Sequence, residues 1–225
     1  MSRINSPAEL EEFRQGILSK RDPNKPCITL CSGSACHATG SKDVAASLEA
    51  EIEKQGLSGQ VDIRRTGCHG YCERGPIIVI HPEEIGYFQI KPEDVPEIIS
   101  ETIKEKKIVE RLLYTDPGTQ EKIVHESEIP FYKYQERLVF GSNGSIDPKS
   151  IDDYLAIGGY SALSKALSGM TPEQVVEEVK KSNLRGRGGG GFPAGIKWEG
   201  SRNDPEPIKY VIVNADEGDP GAYMD

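Results

Sequence analysis

Five cysteines offer the chain's most pointed chemistry. Cys31 and Cys36 are spaced C-x4-C, and Cys68 and Cys72 are spaced C-x3-C. Four thiolates in two loops can hold either zinc or a [2Fe-2S] cluster, because both accept four sulfur ligands. Structural zinc prefers the tighter C-x2-C knuckle, whereas the wider pairs here suit a two-iron core with each loop on one iron. Gly33, Gly40, Gly67, Gly70 and Gly75 flank the pairs. They let backbone N–H groups approach sulfur, an interaction that tunes reduction potential. A dithiol redox site is the weaker reading, since no C-x-x-C is present. An odd cysteine count without a secretory pattern also argues against a disulfide framework. His37 and His69 directly follow cysteines and do not match Rieske spacing, so they read as loop or supporting residues. Cys27 lies inside an apolar segment and reads as core.

The second constellation is Gly186-Arg187-Gly188-Gly189-Gly190-Gly191. It contains G-x-G-x-x-G, but a dinucleotide fingerprint follows a strand and this loop follows a predicted helix. A flexible linker is the plain alternative. Against it stand Arg185, Arg187 and Lys197, with Phe192 and Trp198 beside them. Bare backbone with cations suits an anionic ligand such as a phosphate. Phe192 can stack on a flat ring.

The elements that must position these residues follow from pattern. Ser6-Pro7-Ala8-Glu9 opens a helix to about Leu18. Pro26 to Leu30 reads as a strand, and Ser41 caps a helix carrying Val44, Ala45, Leu48 and Ile52. Val61 to Arg64 reads as a second strand. Pro76–Ile80 and Tyr87–Ile90 form a hairpin turning at Glu84-Ile85-Gly86. Pro92 begins a helix with Val95, Ile98, Ile99 and Ile103. Strand, helix, strand, strand, strand, helix is an α/β unit of thioredoxin-like order. Each cysteine loop follows a strand, an arrangement able to bring the loops together. Residues 111–140 read as a connector whose aromatics lie against a surface. Ser150 to Asp153 set up a further helix, and Thr171-Pro172-Glu173-Gln174 caps another. Tyr210 to Asn214 reads as a buried parallel strand, followed by a polar loop from Asp216 to Gly221.

The 225 residues are 36% hydrophobic and 28% charged, with net charge −9. The acidity is spread along the chain, so no basic face is available for nucleic acid. No apolar run is long enough to span a bilayer, and the start lacks a secretory pattern. The expectation is a cytoplasmic protein, free or peripheral to a membrane complex. A lone final strand cannot form a sheet, so the sequence is expected to be part of a longer protein.

Residues 29–37, Thr-Leu-Cys-Ser-Gly-Ser-Ala-Cys-His, and 66–76, Thr-Gly-Cys-His-Gly-Tyr-Cys-Glu-Arg-Gly-Pro, resemble the thioredoxin-like [2Fe-2S] ferredoxins. These occur in complex I and as fused N-terminal domains of NAD(P)-linked hydrogenase subunits. The resemblance implies Cys31, Cys36, Cys68 and Cys72 as cluster ligands. Residues 184–198 are similar to the FMN loop of the complex I flavoprotein subunit family, and 214–221 to its next signature. That second resemblance implies FMN contacts from Gly186, Arg187, Gly188, Gly189, Gly191, Lys197, Asn214, Asp216 and Glu217. It also implies Phe192 stacking on the nicotinamide nucleotide.

The implied fold is a thioredoxin-like [2Fe-2S] domain followed by the N-terminal part of an α/β FMN-binding domain. The divisions are an arm (1–25), the cluster domain (26–110), the connector (111–140) and the flavin part (141–225). The implied function is an iron–sulfur flavoprotein subunit passing electrons between NAD(P)H, FMN and Fe–S clusters, with other subunits as partners and a [4Fe-4S] cluster beyond this sequence. The alternative is a stand-alone [2Fe-2S] carrier that docks to a partner.

Overall fold

The computed structural model describes residues 3–138, 140–212, 214 and 216. They form two compact units, residues 17–157 in one and residues 3–16 with 158–216 in the other.

The first unit is built on a four-stranded sheet. Its strands are β1 (Cys27–Cys31), β2 (Asp62–Thr66), β3 (Ile77–His81) and β4 (Ile85–Phe88), in the order β2-β1-β3-β4. β1 and β2 are parallel, with Cys27 opposite Asp62 and Cys31 opposite Thr66. β3 pairs antiparallel with both β1 and β4. The parallel pair needs a crossover, supplied by the short helix α2 (Ser34–Ala38) and by α3 (Ser41–Lys54). Gly40, not Ser41, caps α3, because its φ of +103° suits glycine. Ser41 is the helix's first residue and is buried.

The hairpin also differs from the expected one. Ile85 and Gly86 lie inside β4 and the chain turns at 82–84, where Glu84 takes a positive φ. The register explains it: Ile80 faces Ile85 and Ile78 faces Tyr87. Those four side chains must share one face, and a one-residue slip would expose them.

Both faces of this sheet are apolar. Ile28, Leu30, Ile78, Ile80, Ile85 and Tyr87 pack with Val44, Leu48 and Ile52 of α3. The helical run after Pro92 closes the same core. It opens as a 3-10 turn (Pro92–Asp94), continues as α4 (Val95–Glu97) and widens to a π-helix (Ile98–Lys104). Val95, Ile98 and Ile99 are fully buried there. Tyr87 is also fully buried, and its hydroxyl meets Thr102 Oγ1 at 2.6 Å while accepting the Val109 N–H at 3.0 Å.

The opposite face carries Cys31, Ile77 and Phe88, which pack with Tyr114 and Ile129. The segment expected as a connector therefore covers half of the sheet. It folds as the short pair β5 (Tyr114–Thr115) and β6 (Lys122–Ile123), then a turn of helix, α5 (Pro130–Lys133). Continuous burial of Ile77, Ile78, Val79 and Ile80 requires such a second cover. Helix α6 (Ile151–Ala156) completes the unit. Ser150 caps it by accepting the Asp153 N–H at 3.2 Å. The Asp153 carboxylate is buried between Arg21 (2.5 Å) and Arg64 (3.1 Å) and accepts the Asp147 N–H at 2.8 Å.

The second unit is helical. Ser6 Oγ accepts the Glu9 N–H at 3.2 Å to open α1 (Pro7–Leu18). Glu9 closes onto the Asn5 N–H at 2.8 Å rather than onto Ser6. α7 (Ser161–Gly169) precedes α8 (Pro172–Lys181), whose Thr171–Gln174 capping box is reciprocal. α9 (Ala194–Asn203) packs tightly on α8: a Cβ on Gly195 would stand 2.7 Å from the Lys180 backbone nitrogen. The strand expected at 210–214 is not formed among its described residues. Tyr210, Val211 and Ile212 lie in no strand and are more than four-fifths exposed. No strand lies beside them among the described residues to accept their backbone hydrogen bonds. Val213 and most of the following loop, including Glu217, lie outside the described residues. None of the described helices is long and apolar enough to cross a membrane.

Candidate metal centre

The parallel β1–β2 pair decides where the cysteines go. Cys31 and Thr66 are the last residues of adjacent strands running in one direction, so both cysteine loops leave the same end of the sheet. The Ser32 N–H donates to the Thr66 carbonyl at 3.0 Å and ties the loops at their roots. Cys36 follows on α2, and a 3-10 turn (Cys72–Arg74) carries Cys72.

The four thiols come together as a chain of contacts. Cys36 meets Cys31, Cys31 meets Cys68, and the Cys68 and Cys72 sulfurs are 3.7 Å apart. Cys31 and Cys36 are buried, and Cys68 and Cys72 are half-buried. No three or more His, Cys, Asp or Glu side chains among the described residues gather around a single ion.

The electrostatics of this chain are consistent. Cys31 is pushed up to about 11, first by its hydrogen bond to Cys36. Cys36 is correspondingly lowered by that bond. Cys68 is raised, first because it donates to Cys31 and then by burial. Burial is the main cause that raises Cys72. Thiols so crowded share protons, and full ionisation requires a cation among them.

Backbone donors point at the sulfurs. Gly70 N–H reaches Cys68 Sγ at 3.2 Å, and the backbones of His69 and Ile77 favour the ionised forms of Cys31 and Cys36. Space is equally specific. A Cβ on Gly75 would stand 2.6 Å from Cys36 Sγ, and one on Gly33 would stand 3.1 Å from Cys68 Cβ. The donor set, the N–H groups and this bare-backbone cradle fit a sulfur-ligated cluster.

The two histidines separate. His37 is exposed. His69 is 1% exposed, with Nε2 3.0 Å from Thr66 Oγ1 and Nδ1 2.7 Å from Glu126 Oε1. Tyr71 stacks on Phe131 with centroids 4.2 Å apart. Glu126, Phe131 and Arg137 thus belong to the surroundings of the second loop. No local motif announces them, because they act across more than fifty residues of sequence. Cys27 is half-buried in β1, at the end opposite the other cysteines.

The glycine loop lies between two helices, α8 and α9. Its neck is closed by Gly186 N–H to the Phe192 carbonyl and Ala194 N–H to the Leu184 carbonyl, both 2.8 Å. Gly189 and Gly191 take φ of +90° and +58°. Gly186, Arg187, Gly188, Gly189, Phe192 and Lys197 are exposed and Gly191 half-buried, so the neck and the first turn of α9 present them together. Asn214 and Asp216 are exposed, and Asp216 N–H donates to Asn214 Oδ1 at 3.0 Å. Among the described residues neither hydrogen-bonds to the loop.

Residues 17–103 match the thioredoxin-like [2Fe-2S] ferredoxin family, and residues 179–225 match the Nuo51 FMN-binding domain. The chain is 54% identical over 93 residues to the NADP-reducing hydrogenase subunit HndC of Solidesulfovibrio fructosivorans, covering 41% of this chain and 19% of that protein. It is 28% identical over 230 residues to the NAD-reducing hydrogenase HoxS subunit alpha of Cupriavidus necator, covering 98% of this chain and 35% of that protein. A solved thioredoxin-like [2Fe-2S] ferredoxin from Aquifex aeolicus is 31% identical, covering 39% of this chain and 87% of that chain, with a TM-score of 0.36.

Proposed function

Because this chain belongs to the thioredoxin-like [2Fe-2S] ferredoxin family through residues 17–103 and carries Nuo51 FMN-binding domain sequence at 179–225, we propose that it is an electron-transfer part of an NAD(P)H-linked iron–sulfur flavoprotein subunit. The observation that carries this reading is the meeting of four thiols at one end of the sheet.

Cys31, Cys36, Cys68 and Cys72 are the residues that would hold the cluster. When bound, a [2Fe-2S] cluster takes up and releases one electron at a time. The chain's own residues do the rest. The Gly70 N–H hydrogen-bonds the Cys68 sulfur, Gly33 and Gly75 leave room beside the thiols, and Tyr114, Ile129 and Phe88 keep water from the inner side. Gly186, Arg187, Gly188, Gly189, Gly191 and Lys197 offer a cationic bare-backbone surface for the phosphate end of FMN. Phe192 would stack on the nicotinamide nucleotide, and Asn214, Asp216 and Glu217 would complete the flavin site. When bound, the flavin would supply the acceptance of a hydride equivalent from NAD(P)H and the release of single electrons.

The partners are other subunits of a soluble or membrane-peripheral complex in the cytoplasm, with a [4Fe-4S] centre elsewhere in the longer protein. Redox titration of the longer protein with NADH and NADPH tests the assignment: the reading requires both flavin and [2Fe-2S] signals to be reduced by at least one nucleotide. A stand-alone [2Fe-2S] carrier is the second reading, favoured by one observation. The thiols sit in a compact unit, residues 17–157, while the glycine loop is open to solvent.

A further inference from the structure

The segment 125–144 is drawn onto the second cysteine loop at four places. His69 Nδ1 meets the Glu126 carboxylate at 2.7 Å, and the His69 carbonyl accepts from Arg137 Nη1 at 2.9 Å. A Cβ on Gly144 would stand 3.2 Å from the His69 ring, and one on Gly67 would stand 3.1 Å from the Asn143 carbonyl. Three of these contacts converge on His69, whose side chain is 1% exposed. The N–H that follows His69, that of Gly70, reaches Cys68 Sγ at 3.2 Å.

We propose that His69 is a positioning residue for the cluster, and that Glu126 and Arg137 hold it so that the adjoining Gly70 N–H stays aimed at the Cys68 sulfur. The inference rests on the cluster reading given above. N–H···S hydrogen bonds favour the more negative, reduced state, so loosening them lowers the midpoint potential. A residue that merely filled space would alter stability and leave the potential of the surviving cluster alone. Glu126 separates this mechanism from simple charge. Removing a nearby carboxylate makes reduction easier by Coulomb's law, whereas unpinning His69 makes it harder.

The test uses the full chain, prepared anaerobically, with iron and acid-labile sulfide assayed before redox titration of each variant. His69→Ala and Glu126→Ala are each expected to keep the iron and sulfide of the parent. Each is expected to shift the one-electron equilibrium about tenfold toward the oxidised state, a fall of about 59 mV. Should His69→Ala fail to fold, Glu126→Ala still decides. An unchanged or raised potential in Glu126→Ala overturns the proposal, as does loss of its iron. A parent chain without iron would instead overturn the cluster reading itself.

Discussion

Cys31 and Thr66 face each other across the parallel β1–β2 ladder, each the last residue of its strand. Thr66 Oγ1 donates to the Leu30 carbonyl at 3.2 Å, beside that pairing, and also meets His69 Nε2. One residue thus fixes the end of the sheet and the start of the second cysteine loop. A hairpin in place of the crossover would have sent the loops to opposite ends.

The first prediction concerns room around sulfur. A Cβ on Gly75 falls 2.6 Å from Cys36 Sγ and 3.3 Å from the Cys72 carbonyl, while a Cβ on Gly33 is 3.1 Å from Cys68 Cβ. Gly75→Ala is therefore expected to lose most of its iron and Gly33→Ala less. Iron per chain in the two variants checks the order, and equal retention would show that the cradle adapts.

Tyr87 provides the second. Its hydroxyl accepts the buried Val109 N–H and meets Thr102. Tyr87→Phe leaves that N–H without a partner and is expected to destabilise the first unit by about 1–3 kcal/mol. Denaturant unfolding measures it, and a variant as stable as the parent would mean that another acceptor takes over.

Asp153 provides the third. It draws Arg21, Arg64 and the Asp147 N–H together from three parts of the chain. The arginine side chains are about a third exposed, so the loss in Asp153→Asn falls below the ~3–5 kcal/mol of a fully buried pair, at about 2 kcal/mol. The same unfolding experiment applies. Insensitivity of the variant's unfolding to the change would demote the latch to a surface contact.

The fourth concerns the glycine loop. Gly189 has φ of +90°, a conformation that a β-branched residue does not tolerate. In the longer protein, Gly189→Val is expected to abolish flavin binding, read as flavin released per chain on denaturation. Full flavin content would remove the loop from the site.

Much of the first unit was legible because local pattern and tertiary packing agree there. Alternation and helical spacing located β1, α3 and the run after Pro92, and glycine-flanked thiols marked both loops. The hairpin register was missed by local turn chemistry, since the pairing of Ile78 with Tyr87 decides it across the sheet. The segment at 111–137 was legible as a connector whose aromatics lie against a surface, but not as the cover of a whole sheet face. Its residues lack strong periodicity, and its signal lies elsewhere, in the unbroken apolar run of β3 that demands burial on both sides. Tyr210 to Ile212 show the converse: an apolar run resembles a strand, yet with no neighbouring strand among the described residues it forms none.

Elemental analysis of the anaerobically purified chain, with its visible spectrum, addresses the shared site of the four cysteines most directly. About two irons and two acid-labile sulfides per chain, a brown colour, and loss of both elements in Cys68→Ser are expected. A colourless chain with neither iron nor sulfide, or a Cys68→Ser variant that keeps its full complement of both, would contradict the shared site.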